Sequence, residues 1–408
     1  MIKFIKNTFI IFFILIIFTS KGFSQKSIII FKNDYSNNYM NYAIYDLIIK
    51  NIFLYSNLKI MNSYSNYSSY NKIKSQIKKL TINNNANISI AYQIQNFKNG
   101  ILINYIIFDN EKPNEWIEKS AYSKEEDLFI SINKILKDIY EISKIKNKIT
   151  YIKEKDYISL LGYYSQKIIL TNNADNIYKL FYDFHKDNIY FNIDYLEYLT
   201  DKSDRTSVDI INDLIKNMQN YINKKKNHYY LYSLGCMHYG KYKVNVILSD
   251  IEASIENYNK ALKLKNNYYK YYYRLANAYI LKNDYDNAIK YYEEAIKLNE
   301  YDINIIKEFV SLLKRDINKN GNEVISYLKK IIEINKNDEE ALEEISKLYE
   351  KIGDYDNALI YYNKLFEVIN YNLYIINNET KDADAYDRYI FKRNSIKLNI
   401  ESLKKKIF

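Results

Sequence analysis

Residues Tyr269–Asp302 read YKYYYRLANAYILKNDYDNAIKYYEEAIKLNEYD, and this stretch decides the architecture. Leu275, Ala276 and Tyr279 recur at the three- and four-residue intervals of one helical face. Ala288, Tyr292 and Ala295 do the same after Asn283-Asp284-Tyr285-Asp286, a run rich in turn formers. The spacing predicts two helices folded back on each other. The alanines let the backbones approach, and the aromatic rings fill the gaps beside them. One such hairpin leaves an apolar face open, so it needs stacked neighbours.

Neighbours are visible. A second unit starts near Glu339, with Leu342, Ile345, Ser346, Tyr349, Ala358, Tyr362 and Leu365. Its turn, Gly353-Asp354-Tyr355-Asp356-Asn357-Ala358, nearly repeats Asp284-Tyr285-Asp286-Asn287-Ala288. A degenerate unit lies between: Ile306, Phe309, Val310, Leu313, Val324, Leu328 and Ile331. Val324 stands 36 residues after Ala288 and 34 before Ala358, which predicts a two-residue insertion in the turn around Asn318 to Gly321. Upstream, Leu234-Gly235, Ser254, Tyr258, Ala261 and Leu264 fit one more unit, with about seven extra residues between its helices.

This pattern resembles the tetratricopeptide repeat (TPR): a large residue at position 4, Leu at 7, a small residue at 8, Tyr at 11, Ala at 20, an aromatic at 24 and Ala at 27. Tyr272, Leu275, Ala276, Tyr279, Ala288, Tyr292 and Ala295 fill those positions. The resemblance implies a helical solenoid of about four units over 227–381, closed by a capping helix over 382–408. That helix has Tyr386, Tyr389, Ile390, Ile396 and Ile400 on its apolar side. It also implies a groove lined by the first helix of each repeat: Lys270, Tyr273, Asn277 and Ile280, then Asn304, Lys307, Ser311 and Lys314, then Glu340, Glu343, Lys347 and Glu350. The groove would be aromatic and neutral at one end, basic in the middle and mixed beyond. Its expected guest is a protein or peptide segment bearing some acidic residues.

Residues 25–145 carry a different signal. Ser27–Phe31 and Leu58–Met61 read as short strands, and Tyr39–Phe53 and Tyr70–Leu80 as amphipathic helices. Ala86–Gln95 and Ile101–Phe108 flank Asn99-Gly100, a hairpin signal, and Trp116–Tyr122 reads as a further strand. Glu125–Ile142 closes the unit as a helix, with Glu125, Glu126 and Asp127 in its first turn. This order resembles the N-terminal domain of the Tol translocation protein TolB and the related domain that precedes TPR arrays in bacterial envelope proteins. The resemblance is carried by Ile28-Ile29-Ile30-Phe31-Lys32-Asn33, Tyr45-Asp46-Leu47-Ile48, Leu58-Lys59-Ile60-Met61, the run Ala91 to Phe108 and Asn114-Glu115-Trp116. It implies a non-enzymatic domain associated with envelope complexes. The Pro-Phe that usually ends the family's opening strand is missing here. The fold expectation is α+β: a small α/β domain with a mixed sheet, a helical connecting region or degenerate repeats over 146–226, then the all-α solenoid.

Composition agrees. Seven Gly and one Pro are too few for the turns of a propeller or a many-stranded sandwich. The 47 Tyr accompany long runs of Ile, Asn and Lys, which is the signature of an AT-rich genome, so tyrosine is discounted as a functional signal. Residues 1–24 read as a secretory leader: Lys3 and Lys6, an uncharged stretch from Thr8 to Thr19, then Gly22-Phe23-Ser24 before Gln25. As a helix those apolar residues would span about 18 Å against ~30 Å of hydrocarbon. The expected location is exported and periplasmic, the alternative being an inner-membrane protein anchored by an uncleaved leader. The net charge of +10, less Lys3, Lys6 and Lys21 of the leader, is +7. The basic runs Lys224-Lys225-Lys226 and Lys404-Lys405-Lys406 read as solvated faces; peripheral contact with membrane or cell-wall polymer is open, and an exported protein would not meet nucleic acid.

Catalytic signals are weak. Gly235-Cys236-Met237-His238-Tyr239-Gly240-Lys241-Tyr242 matches a phosphate-cradling Gly-x-x-x-x-Gly-Lys. Its last position is Tyr242, where a magnesium-binding hydroxyl belongs, and it falls inside a helical repeat. His228 and His238 stand ten residues apart, off a common helical face. Cys236 is the only cysteine, which leaves no disulfide or thiolate cluster. Neither a cofactor nor a metal is expected. The reading is a non-catalytic interaction scaffold. Its alternatives are a module sensing a small ligand or wall fragment, and an enzyme with an unrecognised site.

Overall fold

The computed structural model describes residues 26–31, 39–56, 58–63, 77–79, 81–83, 86–97, 99–144, 151–154, 174–185, 188–218, 227–380 and 382–407, with the single positions 157, 160 and 163. The leader, most of the helix expected over Tyr70–Leu80 and the run Lys224–Lys226 lie outside these. The chain is α+β, a small mixed sheet with helices followed by a long helical array. It divides into two compact units, residues 1–274 and 275–408.

In the first unit, strands β1 (Ser27–Phe31), β2 (Lys59–Ser63), β3 (Ile88–Phe97), β4 (Gly100–Asp109) and β5 (Trp116–Ser123) form one sheet ordered β2-β1-β3-β4-β5. β1 runs parallel to both neighbours, and β3, β4 and β5 form an antiparallel meander. A parallel pair needs a crossover, and α1 (Tyr39–Tyr55) supplies it between β1 and β2. Ala43, Ile44, Leu47, Ile48 and Ile52 make its buried stripe. Helix α2 (Leu128–Ile142) packs on β4 and β5 and touches α1, so both helices cover one face. It buries Leu128, Ile132, Ile135, Leu136 and Ile139.

One expectation needs correction here. Glu125, Glu126 and Asp127 precede α2 instead of forming its first turn. The backbone there is already turned, with the Asp127 and Leu128 amides donating to the carbonyls of Lys124 and Glu125 at 3.2 Å. Gly100 matters through close approach rather than positive φ: a Cβ there would stand 2.7 Å from the Ser123 carbonyl oxygen of β5.

The first unit continues through α3 (Ala174–His185), α4 (Ile189–Lys202), α5 (Arg205–Met218), α6 (His228–Asn245) and α7 (Leu248–Leu264) to the start of α8 (Tyr269–Leu281). Asn188 and Asn227 cap α4 and α6, each accepting from the second and third amides. The seven extra residues expected between α6 and α7 are not a loop. Both helices are longer, and only Val246 and Ile247 separate them, Val246 taking the left-handed conformation at φ 55°. No Gly or Pro interrupts residues 241–264. Once a helix is nucleated, each further residue adds a hydrogen bond, so added sequence extends the helix.

The second unit holds the rest of α8, then α9 (Tyr285–Leu298), α10 (Ile303–Leu313), α11 (Ile317–Ile334), α12 (Glu339–Lys351), α13 (Tyr355–Ile375) and α14 (Ala383–Ile407). Leu275, Ala276, Ala278, Ala288 and Ala295 are fully buried. Asn283 and Gly353 occupy equivalent positions and both take positive φ, 59° and 81°, ending α8 and α12 alike. Asp284 and Asp354 follow and cap α9 and α13 through the amides of Asn287 and Asn357, each at 3.2 Å. Tyr279 stacks on Tyr291 and Tyr349 on Tyr361, with ring centroids 5.4 and 5.7 Å apart. The degenerate repeat turns differently. Lys314–Asp316 is a single 3-10 turn, and Asn318 to Gly321 are helical.

Gly235 of α6 faces Tyr258 of α7, and a Cβ there would collide with the ring. Gly235→Ala is expected to lower stability by about 1–3 kcal/mol. Tyr258→Leu should restore most of the loss, which chemical denaturation of the single and double variants would read.

Candidate functional site

The second-unit residues expected from sequence to line a groove are mostly engaged with neighbouring side chains. Asn277 accepts from Tyr292 Oη at 2.5 Å, and a Glu308 carboxylate oxygen lies 3.0 Å from the same hydroxyl. Lys307 reaches Glu340 at 2.7 Å and Asp338 at 3.0 Å, both from the start of the next repeat. Lys314 reaches Glu344 at 2.6 Å. Lys347 pairs along its own helix with Glu343 at 2.5 Å. Glu350 accepts from Lys406 at 3.0 Å and from Tyr362 Oη at 3.4 Å. Ser311 is exposed and donates to the Lys307 carbonyl; Ile280 is half-buried. The basic middle expected from sequence is therefore met by carboxylates of the following repeat. These pairs join residues about one repeat apart, so the charge of each helix alone misstates the field of the groove.

The terminal helix α14 occupies the place where a further repeat's first helix would stand. Its Lys392 bonds Glu339 at 2.7 Å and Glu343 at 3.4 Å, and Tyr389 Oη donates to Glu339 at 2.8 Å. Ile396, Ile400 and Leu403 form its buried face. Tyr386, Tyr389 and Ile390 are half-buried.

Lys270 and Tyr273 belong to the first unit. Lys270 stands 3.7 Å from Glu197, and the Arg274 guanidinium lies over the Tyr273 ring at 5.3 Å. Arg274 is buried and bonds Glu197 at 2.9 Å and Asp201 at 2.5 Å, while Tyr232 Oη donates to Glu197 at 2.5 Å. Burial alone would raise the Glu197 carboxyl, but Lys270 and Arg274 reverse this and hold it below its ordinary range. Sequence reasoning missed this cluster, whose one local signal is an arginine beside the apolar Leu275-Ala276 pair.

Of the residues that suggested chemistry, Cys236 is buried and His228 and His238 are half-buried. The glycine motif lies wholly inside α6, which begins seven residues before it, so helix and not a strand leads into it. Cys236 is buried, and burial pushes its thiol up to about 11. His228 Nδ1 lies 2.7 Å from Tyr271 Oη, and burial holds the ring neutral, down to about 3. His238 contacts Asp250 at 3.1 Å. Lys265 Nζ donates to the carbonyls of Phe53 and Ser56 at the end of α1 and lies over the Phe53 ring. There it satisfies carbonyls that the helix end leaves open. Among the described residues, no group of three or more His, Cys, Asp or Glu is placed to hold a metal ion, and no helix is long and apolar enough to cross a membrane.

Burial pushes Lys265 down to about 7. An unfolded lysine titrates near ~10.4, so the unfolded chain binds the extra proton between those values. This group's contribution is therefore least favourable below about pH 7 and grows as pH rises toward ~10. Thermal melts should show wild type gaining on Lys265→Met across that window; a difference that stays flat with pH would mean the amine is solvated.

Residues 269–302 and 339–372 each match the tetratricopeptide repeat family, so the chain carries at least these two repeats. No curated protein matches the chain. Among solved structures, one of MamA is 22% identical with a TM-score of 0.32, covering 40% of this chain and 91% of that one. A second MamA structure is 20% identical with a TM-score of 0.33, covering 49% and 96%. YrrB, described as a TPR protein with an unusual peptide-binding site, is 16% identical with a TM-score of 0.29, covering 46% and 89%. Likenesses of this size carry no argument about this chain.

Proposed function

We propose that this protein is a non-catalytic scaffold of the bacterial cell envelope, exported to the periplasm, whose repeat array holds a segment of a partner protein. The observation that carries the reading is the pair of matched repeats at 269–302 and 339–372, a module built to present a row of first helices. The leader-like residues 1–24 support the location, and the strand and helix order of 25–145 supports an envelope-associated first domain. Because Lys307 and Lys314 are already paired, a guest either displaces Glu340 and Glu344 or contacts the neutral positions. Asn277, Ile280, Asn304 and Ser311 supply those. Lys347 and Glu350 bound the site where α14 closes the array.

A photo-crosslinking residue at Ser311 should capture one defined partner segment in intact cells. The same residue at Glu367, exposed on the second helix of the last repeat, should not. Equal capture at both positions, or at neither, would sink the groove reading.

A further inference from the structure

Helix α11 starts earlier in its repeat than its counterparts do. It begins seven residues before its packing residue Val324, whereas α9 and α13 begin three residues before Ala288 and Ala358. It therefore carries one extra N-terminal turn. Beside that turn lies a cavity of about 340 Å³. Val324 and Leu328 form its buried floor, and Ile317 and Leu348 its half-exposed walls. Ile317, Gly321, Val324 and Leu328 fall on one stripe of α11, at helical intervals of four, three and four. Gly321 leaves a hole in that stripe, since a Cβ there would meet nothing within 4 Å.

Charge decides what fits. Lys314, Lys347 and Lys351 border the cavity against a single carboxylate, Glu344. Lys314 is paired with that carboxylate and Lys347 with Glu343 on its own helix, where it remains exposed, and Lys351 has no ion pair among the described residues. The volume exceeds one aliphatic side chain and suits an apolar anchor plus part of the backbone carrying it. We infer that this cavity is a docking site for an acidic peptide segment with one large apolar residue: the apolar side chain enters between Ile317, Leu348 and the Gly321 gap, and flanking carboxylates meet Lys347 and Lys351. The inference names a partner class for the scaffold reading and rests on that reading only in taking the ligand to be protein. The site shares Lys314 and Lys347 with the groove positions and does not include Asn277 or Ser311.

The test titrates the purified full chain with three blocked pentapeptides by calorimetry: Asp-Glu-Leu-Glu-Asp, its Leu-to-Ser version and Lys-Arg-Leu-Arg-Lys. The acidic leucine peptide should bind, with the serine version at least tenfold weaker and the basic one inert. Gly321→Leu should weaken binding at least tenfold while leaving the melting temperature unchanged or higher, because Leu is the better helix former. Lys351→Glu, at an exposed position, should weaken it similarly, and Ser311→Arg should leave it intact. Absence of peptide binding, binding that survives Gly321→Leu, or saturation by dodecanoate in place of peptide would each overturn the proposal. If Ser311 still captures its partner in any of those cases, the groove reading stands without the cavity. If the peptide binds as expected and Ser311 captures nothing, the cavity stands without the groove.

Discussion

Close approach of paired helices at small residues is the constraint on which the helical part depends. Gly235 against Tyr258, and Ala276, Ala288 and Ala295 within the next hairpin, let backbones come near enough for aromatic rings to seal the remaining gaps. A protein interior tolerates neither voids nor overlap, so the small residue and its opposing ring are chosen together. That is why these positions survive in a sequence otherwise flooded with Tyr, Ile, Asn and Lys. It also explains the capping aspartates: a hairpin held so tightly needs its turn fixed, and Asp284 and Asp354 fix it in the same way.

The small-residue rule made the two matched repeats legible, because its spacing is local and survives compositional bias. The sheet was legible through Asn99-Gly100 and the apolar strands around it. Insertions were legible in number and misjudged in form. The extra residues near Asn318–Gly321 and before Leu248 lengthen helices, since nothing in them ends one. Gly321 costs the helix about 1 kcal/mol relative to alanine, which the rest of α11 tolerates, and beside Asn318 and Asn320 it reads from sequence as a turn.

The electrostatics were the least legible. Lys307 and Lys314 meet carboxylates about a repeat away, and Lys265 pairs with backbone carbonyls of α1 across more than 200 residues of sequence. Neither relation leaves a trace in a helical wheel. Lys265 shows what burial does: a lysine, a residue type found mostly at surfaces, joins the helical region and the sheet domain by polar contacts within one compact unit. Cys236 and His228 carry the complementary lesson, because residue types that attract functional suspicion lie here in apolar surroundings that quiet them.

Helix α14 has a consequence for how such a chain can evolve. Lys392, Tyr389 and Lys406 engage the carboxylates of α12, so the end of the array is chemically committed. Lengthening by appending a repeat after residue 375 would have to dislodge that whole set of contacts. Duplication at an internal seam meets no such obstacle, because the αL residue and capping aspartate at 283–284 and at 353–354 are interchangeable joints. The ancestry of additional copies should therefore lie between those joints, with the last hairpin and its terminal helix inherited together as one cassette.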